Sequence, residues 1–305
     1  MKILITGGAG FIGSHVAKIL LDLGHQVIVY DNLSKSSQDN LDKRALFIKG
    51  DIKDRELLKK TLLGIDWVIH LASLIEVNES VKKPVLYADN NVLGTVELLE
   101  AMREVGVKKI IFSSSACVYG TPKTLPLTEA SPLQPDNPYG ASKVAVEAFL
   151  RTYHILHHFD VTILRYFNPY GPGENHQPET HAIPNFIKAA LDKRPIPLYW
   201  EGEQIRDFIY IEDLATAHTT CLNLKGFSIF NVGTNNGVKV IDVVNKLSDI
   251  FGYDVKIENL GERAGDVNAN YASSALLKSK AGWEAKVSLD EGLKKTVEYF
   301  KSKSS

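Results

Sequence analysis

Four glycines crowded between a short apolar strand and an amphipathic helix set the first constraint on this chain. Gly7, Gly8, Gly10 and Gly13 follow a β-branched-rich run at residues 2–6, and they fit both Gly-x-x-Gly-x-x-Gly and Gly-x-Gly-x-x-Gly. Such a turn needs residues without a Cβ and lets the backbone come close to a pyrophosphate. The helix after it offers N–H groups and a positive dipole end to phosphates. Ile12, Val16, Ile19, Leu20 and Leu23 share one helical face, and Gly24 stops it. A tight turn with no ligand could use the same glycines, but strand before and helix after are what dinucleotide binding requires. Asp31 ends the second strand, where an acid can bond both ribose hydroxyls of an adenosine. A 2′-phosphate would meet like charge there, which favours NAD over NADP, although Lys35 lies in the same loop. Asp51 and Ile52, after the third strand, are expected to flank the adenine, while an acid in that place also serves as a turn or helix cap.

The rest of the first half repeats the strand–helix alternation. Strand patterns fall at residues 26–30, 45–48, 67–71, 109–113 and 161–165, and helical patterns at 54–63, 88–105 and 139–157. Alternation of this kind implies an α/β fold: a Rossmann-type doubly wound parallel sheet covered on both faces. After Arg165 the pattern changes. Pro and Gly crowd residues 168–173, which read as a loop, and Pro178, Pro184, Pro195 and Pro197 follow. A helix near 212–224 and a strand near 229–232 are expected to return to the large sheet, and Leu289, Leu293 and Val297 mark a tail helix. Residues 1–167, with roughly 210–235, then form the cofactor domain. Residues 168–209 and 236–305 form a smaller C-terminal mixed α/β domain for the substrate.

Composition removes several classes. The 35 Lys+Arg against 36 Asp+Glu leave a net charge of −1, so no basic excess exists to neutralise nucleic-acid phosphates. No run reaches the about 18 apolar residues that span a bilayer, and the N-terminus lacks a signal-peptide pattern. Only Cys117 and Cys221 are present, which argues against a disulfide framework or a Cys-based zinc site. The expectation is a cytoplasmic enzyme with no nucleic-acid or membrane partner and no metal.

Tyr139-Gly140-Ala141-Ser142-Lys143 places a tyrosine and a lysine on one helical face. A free tyrosine titrates near ~10, too high for a base at neutral pH. A nearby ammonium, helped by a positive nicotinamide ring, would stabilise the phenolate and lower that value. A hydroxyl could then lose its proton to Tyr139 while hydride leaves the same carbon. Alone, the pair also suits an ordinary surface helix. Phe112-Ser113-Ser114-Ser115 ends a strand at the sheet edge where ligands bind, and a serine there could hydrogen-bond the reacting oxygen.

Across almost its whole length the chain resembles the extended short-chain dehydrogenases/reductases, and within them the UDP-glucose 4-epimerase group. The resemblance is carried by Thr6-Gly7-Gly8-Ala9-Gly10-Phe11-Ile12-Gly13, Asp31-Asn32-Leu33, His70-Leu71-Ala72-Ser73, Asp89-Asn90-Asn91-Val92 and Ser113-Ser114-Ser115-Ala116-Cys117-Val118-Tyr119-Gly120. Asn137-Pro138-Tyr139-Gly140-Ala141-Ser142-Lys143, Leu164-Arg165-Tyr166-Phe167-Asn168-Pro169, Arg206-Asp207-Phe208 and Arg263-Ala264-Gly265-Asp266 complete it. It implies Tyr139 as acid and base, Lys143 as pKa modifier and ribose ligand, and Ser115 as hydroxyl partner. Gly7, Gly10, Phe11, Ile12, Gly13, Asp31, Asn32, Leu71, Ala72, Ser73, Asn90, Ser113 and Phe167 would hold NAD, with Asn90 ordering the helix near the site. Asn168, Arg206, Arg263 and Asp266 would hold a UDP-sugar; two guanidinium forks suit a diphosphate. The implied reaction is C4 epimerisation of a UDP-hexose through a transient 4-keto sugar.

Three other readings compete with this one. Related dehydratases and decarboxylases carry an acid just after the Ser/Thr, where this chain has Ala116 and Cys117. Relatives that epimerise C3 or C5 use a Ser-x-Cys-x-Tyr pattern, which Ser115-Ala116-Cys117-Val118-Tyr119 matches, and a thiolate could take a proton α to the ketone. Those relatives continue with proline where this chain has Gly120, and they need a second acid, for which His176 and His181 are near; Cys117 would otherwise be a small buried residue. A non-enzymatic dinucleotide-binding regulator would usually lack the Tyr/Lys pair. In the epimerases, a bulky tyrosine shortly after Arg-x-Gly-Asp excludes N-acetyl groups; here that place falls on Asn270, with Tyr271 next. His15, Tyr30, His70 and Trp200 read as structural residues. Leu98, Met102, Phe149 and Tyr153 give the helices near 88–105 and 139–157 second apolar faces. In the family such helices pair as a homodimer's four-helix bundle, and periodicity does not separate that from internal packing.

Overall fold

The computed structural model describes residues 1–174, 181–261 and 267–304. β1 (Lys2–Thr6) leads to α1 (Phe11–Asp22), β2 (Gln26–Asp31), β3 (Leu46–Lys49), α2 (Arg55–Leu62) and β4 (Trp67–His70). Two short helices, α3 (Val77–Lys82) and α4 (Pro84–Tyr87), run into a π-helical segment at Ala88–Leu93 and then α5 (Gly94–Val105). β5 (Lys109–Ser115), α6 (Pro138–His157) and β6 (Asp160–Tyr166) follow, then β7 (Asn168–Tyr170), α7 (Ala182–Leu191) and β8 (Ile196–Leu198). The chain continues through β9 (Ile205–Arg206), β10 (Phe208–Tyr210), α8 (Ile211–Cys221), β11 (Phe227–Val232), β12 (Val238–Lys239) and α9 (Val240–Phe251). β13 (Ile257–Asn259), β14 (Ala269–Asn270), α10 (Ala275–Ala281) and α11 (Leu289–Ser304) close it.

Seven strands form one sheet in the order β11-β6-β5-β4-β1-β2-β3, every pair parallel. Side chains alternate across it, as the two-residue period of a strand requires. Ile3 and Ile5 join the core made with Val16, Leu20 and Leu214; Leu4 joins the opposite core with Leu58, Leu98 and Met102. Helices on both faces explain why the strands are apolar without alternation in sequence. β11 returns to the sheet beside β6, after the small sheets β12-β9-β14, β13-β8 and β10-β7 have begun to build a flank at the carboxyl edge.

Local readings depart from the sequence in three places. The stretch near 168–173 is not all loop, because β7 pairs with β10 in parallel. The helix read over 88–105 begins as a π-helical segment, a widened turn that shifts the phase of its side chains. Of the second apolar faces, Leu98, Met102 and Tyr153 are buried inside this chain, and only Phe149, 40% exposed, is open. Other exposed apolar groups on these elements include Ile155 and Leu156 on α6, and Val81, Val85 and Leu93 on the segment before and within the π turn.

Candidate active site

A cleft of about 840 Å³ runs along the carboxyl ends of the sheet strands, where open α/β sheets place ligands. Its floor is built by α6. Asn137 is extended, as a residue before proline prefers, and its Oδ1 accepts from the Gly140 N–H at 2.9 Å. Pro138 then starts the helix, so Tyr139 stands in the first turn and Lys143 one turn on. A Cβ on Gly140 would lie 2.5 Å from the Cys117 carbonyl oxygen, so glycine is what lets this turn settle against the end of β5. Tyr139 thereby meets Ser115, whose hydroxyl is its hydrogen-bond partner. Lys143 Nζ donates to the Ser113 carbonyl at 2.8 Å.

The electrostatics differ from the sequence expectation for Tyr139. Burial pushes the phenol well up, Cys117 and Tyr87 add to the rise, and the Ser115 hydrogen bond opposes it. Lys143 does not lower it in the protein alone: Nζ stands 5.8 Å from the Tyr139 ring centre and is committed to the Ser113 carbonyl. Burial holds Lys143 down at about 7, against the upward pull of Glu147 and Cys117. The folded chain thus prefers the neutral amine. That contribution to stability is full above the ordinary lysine value of about 10.4 and is lost as pH falls through about 7. Lys143→Met is expected to show a smaller rise in melting temperature between about pH 7 and pH 9.5 than the parent chain; equal slopes would contradict this.

The residues named for the dinucleotide come together. Gly7, Gly10, Phe11, Ile12 and Gly13 line the cleft at one end, with Asp31, Asn32 and Ile52 beside them. Leu71, Ala72, Ser73, Asn90, Ser113 and Phe167 continue the wall toward Tyr139 and Lys143. Gly7 has φ +70, and its Cβ would meet the Ala72 nitrogen at 2.6 Å. Gly10 differs: a Cβ there would meet only the Gly7 oxygen, at 3.3 Å, so its missing side chain keeps space on the cleft side. No side chain caps the α1 N-terminus that follows. This cradle fits a pyrophosphate. Asp31 is held by Ala9 N–H at 3.0 Å, Leu33 N–H at 2.8 Å and the Ser36 hydroxyl at 3.0 Å.

Two expected residues act differently. Asp51 is not among the lining residues; its carboxylate accepts from Asn32 Nδ2 at 3.1 Å and from the Lys53 N–H at 2.9 Å, which positions Asn32 instead. Asn90 lines the cleft, but Asn91 does the ordering. Its Oδ1 accepts from the Leu74 N–H at 2.8 Å, and its Nδ2 donates to the Leu74 carbonyl at 2.9 Å and to Ser142 Oγ at 3.1 Å. The π turn buries Asn91 and leaves Asn90 lining the cleft. His70 is structural: neutral, held down to about 3 by burial, it lies between Thr6 and Thr95 at 2.7 and 2.8 Å.

On the substrate side, Asn168, Arg206 and Asn270 line the cleft. Asn168 Nδ2 donates to the Asp207 carbonyl at 3.0 Å. Tyr271 is not among the lining residues, and its ring lies against Gly237, so the cleft position belongs to Asn270. Arg263, Asp266 and His176 lie outside the described residues. Cys117 lines the cleft, but burial pushes its thiol up, which works against a thiolate base. Gly120 has φ +62, and a Cβ would lie 1.9 Å from the Gln134 oxygen, a conformation closed to the proline of the cysteine-using relatives. His181 also lines the cleft, with Nδ1 against the buried Glu174 carboxylate.

Sequence reasoning missed the support behind this floor. Glu147, one turn after Lys143, is buried and accepts from Arg165 Nη2 at 2.6 Å, Arg165 Nε at 3.0 Å and Ser114 Oγ at 2.6 Å. Arg165 Nη1 donates to Tyr119 at 2.9 Å, and Tyr119 donates to Asn231 Oδ1 at 2.6 Å. The network ties α6, β5, β6 and β11 together. The i, i+4 spacing of Lys143 and Glu147 was the one available signal.

The chain is similar to known proteins over nearly its whole length. The model of the NAD dependent epimerase/dehydratase family matches residues 3–233. A UDP-glucose 4-epimerase of Lactobacillus helveticus is 38% identical over 305 residues, covering 94% of this chain and 92% of that protein. The structure of UDP-glucose 4-epimerase from Thermotoga maritima with UDP-glucose superposes with a TM-score of 0.96 at 37% identity, covering 100% of both chains. UDP-N-acetylglucosamine 4-epimerase from Methanobrevibacter ruminantium, in complex with UDP-N-acetylmuramic acid, gives 0.93 at 35% identity, covering 99% of this chain and 98% of that one.

Proposed function

We propose that this chain, which belongs to the NAD dependent epimerase/dehydratase family, is an isomerase that inverts C4 of a UDP-hexose, interconverting UDP-glucose and UDP-galactose. The observation that carries the reading is the meeting of Tyr139, Ser115 and Lys143 on a cleft floor where Ala116 and Cys117 offer no carboxylate for elimination. Gly7, Gly10, Phe11, Ile12, Gly13 and Asp31 would hold NAD, with Asn32, Ile52, Leu71, Ala72, Ser73, Asn90, Ser113 and Phe167 along its length and Lys143 on its ribose. When bound, NAD would supply the reversible hydride acceptor for C4. Tyr139 removes the O4 proton and later restores it, while Ser115 hydrogen-bonds O4. The fraction of Lys143 that is protonated near neutral pH stabilises the phenolate as an ammonium. Arg206 and Arg263 hold the diphosphate, and Asn168 and Asp266 contact other parts of the sugar nucleotide, so the keto sugar can turn over without leaving. The protein as purified is expected to carry NAD and to exchange UDP-glucose with UDP-galactose. A sample with neither would overturn the reading.

Residues 1–167 with about 210–235 serve as the cofactor domain, and 168–209 with 236–305 as the substrate domain. The enzyme works in the cytoplasm, in galactose metabolism, as a homodimer through a four-helix bundle. Support for the dimer is the apolar surface of Phe149, Ile155 and Leu156 together with Val81, Val85 and Leu93; Val85 is 80% exposed. Asn270 leaves room for an N-acetyl group, so UDP-N-acetylgalactosamine should also be turned over. Asn270→Tyr is expected to lower kcat/KM for that substrate by about 100-fold or more and to change the value for UDP-galactose by less than about fivefold. Equal losses on both would remove Asn270 as the gate.

A further inference from the structure

We propose, on the UDP-sugar reading just given, that Gln204 recognises a ribose hydroxyl of the nucleotide, one station beyond the diphosphate on the same strand. Residues 204–208 alternate across β9 and β10. Gln204, Arg206 and Phe208 line the cleft. Ile205 turns away toward Gly237, whose Cβ would lie 2.5 Å from Ile205 Cγ2. The two ends of this run differ. Phe208 is in register with Asn168, at the end near the reacting sugar. Gln204 accepts from the Val240 N–H at 3.0 Å through its backbone carbonyl, at the opposite end of the run from Phe208 and Asn168. Along the strand the order is therefore sugar, diphosphate, nucleoside.

Gln204 is 7% exposed, and its Oε1 is buried with no hydrogen-bond partner among the described residues. A buried amide carbonyl is rarely kept without a partner. Two residues of extended strand span about 6.6 Å. With the diphosphate at Arg206, that spacing reaches the ribose, and the base edge lies farther on. A carbonyl oxygen accepts, so phosphate oxygens cannot satisfy it, whereas a hydroxyl serves either orientation of the amide. The residue would read the nucleotide and take no part in the C4 chemistry.

The test is calorimetric binding of UDP, 2′-deoxy-UDP and 3′-deoxy-UDP to the NAD-loaded protein and to its Gln204→Met variant. The parent should bind UDP about tenfold more tightly than one of the two deoxy nucleotides. Gln204→Met should bind UDP about tenfold more weakly and discriminate that deoxy nucleotide by less than about twofold, with an unchanged melting temperature. Discrimination retained in the variant, or absent in the parent, would overturn the assignment and leave the epimerase reading standing. Failure of the parent to bind UDP at all would overturn both.

Discussion

Tyr139→Phe is expected to lower kcat by about 10²–10⁴-fold while the protein keeps its NAD and its affinity for UDP. The substitution removes one oxygen and leaves the ring. That ring is buried and sits edge-on to Tyr87, with centroids 6.5 Å apart, so its packing survives. The Asn137 cap and the Asn91–Ser142 contacts that hold the first turn of α6 do not involve the phenol. What is lost is the group that moves the O4 proton. Turnover of UDP-galactose, the nicotinamide content of the purified variant and calorimetric UDP binding check the three parts. Activity within about tenfold of the parent would remove Tyr139 from the chemistry. Loss of NAD together with activity would make it a packing residue instead.

The second large effect is on stability. Glu147→Gln should cost about 3–5 kcal/mol, or a fall in melting temperature of about 10 °C for a chain of this size. Gln keeps the volume and one acceptor but leaves the Arg165 guanidinium, 2% exposed, without its counter-charge. A buried ion stripped of its partner is what makes such changes severe; the intact pair itself contributes little net stability. The double variant Glu147→Met, Arg165→Met should therefore recover most of the loss. Thermal unfolding of the parent, single and double variants decides it. A single variant within about 1 kcal/mol of the parent, or a double variant worse than the single, would contradict the account.

The parts of the fold legible in sequence are those whose signal is local. β1, the glycine turn and α1 are adjacent in the chain, and Tyr139 and Lys143 share one helix, so periodicity and spacing find them. Ser115 is legible because a strand end in a parallel sheet has a known use. The Glu147–Arg165 pair joins a helix to a strand, and its geometry exists only once α6 lies on the sheet. Asn90 is named by the resemblance alone, and which of the two adjacent asparagines turns inward is settled only once the π turn buries Asn91. Asp51 has the chemistry of a ligand, but its carboxylate also accepts from Asn32 and the Lys53 N–H, partners that no local pattern reveals. The choice between Asn270 and Tyr271 turns on a side chain's face in a two-residue strand, too short for a pattern.

UDP-glucose carrying deuterium at C4 puts the central claim to its most direct test. Turnover in ordinary water should give UDP-galactose that keeps nearly all of its deuterium at C4, and turnover of unlabelled substrate in D₂O should place none on carbon. Loss of the C4 label to solvent, or deuterium from D₂O appearing at C3 or C5, would contradict hydride removal and return at C4 and would give the proton chemistry to another group, with Cys117 first in reach.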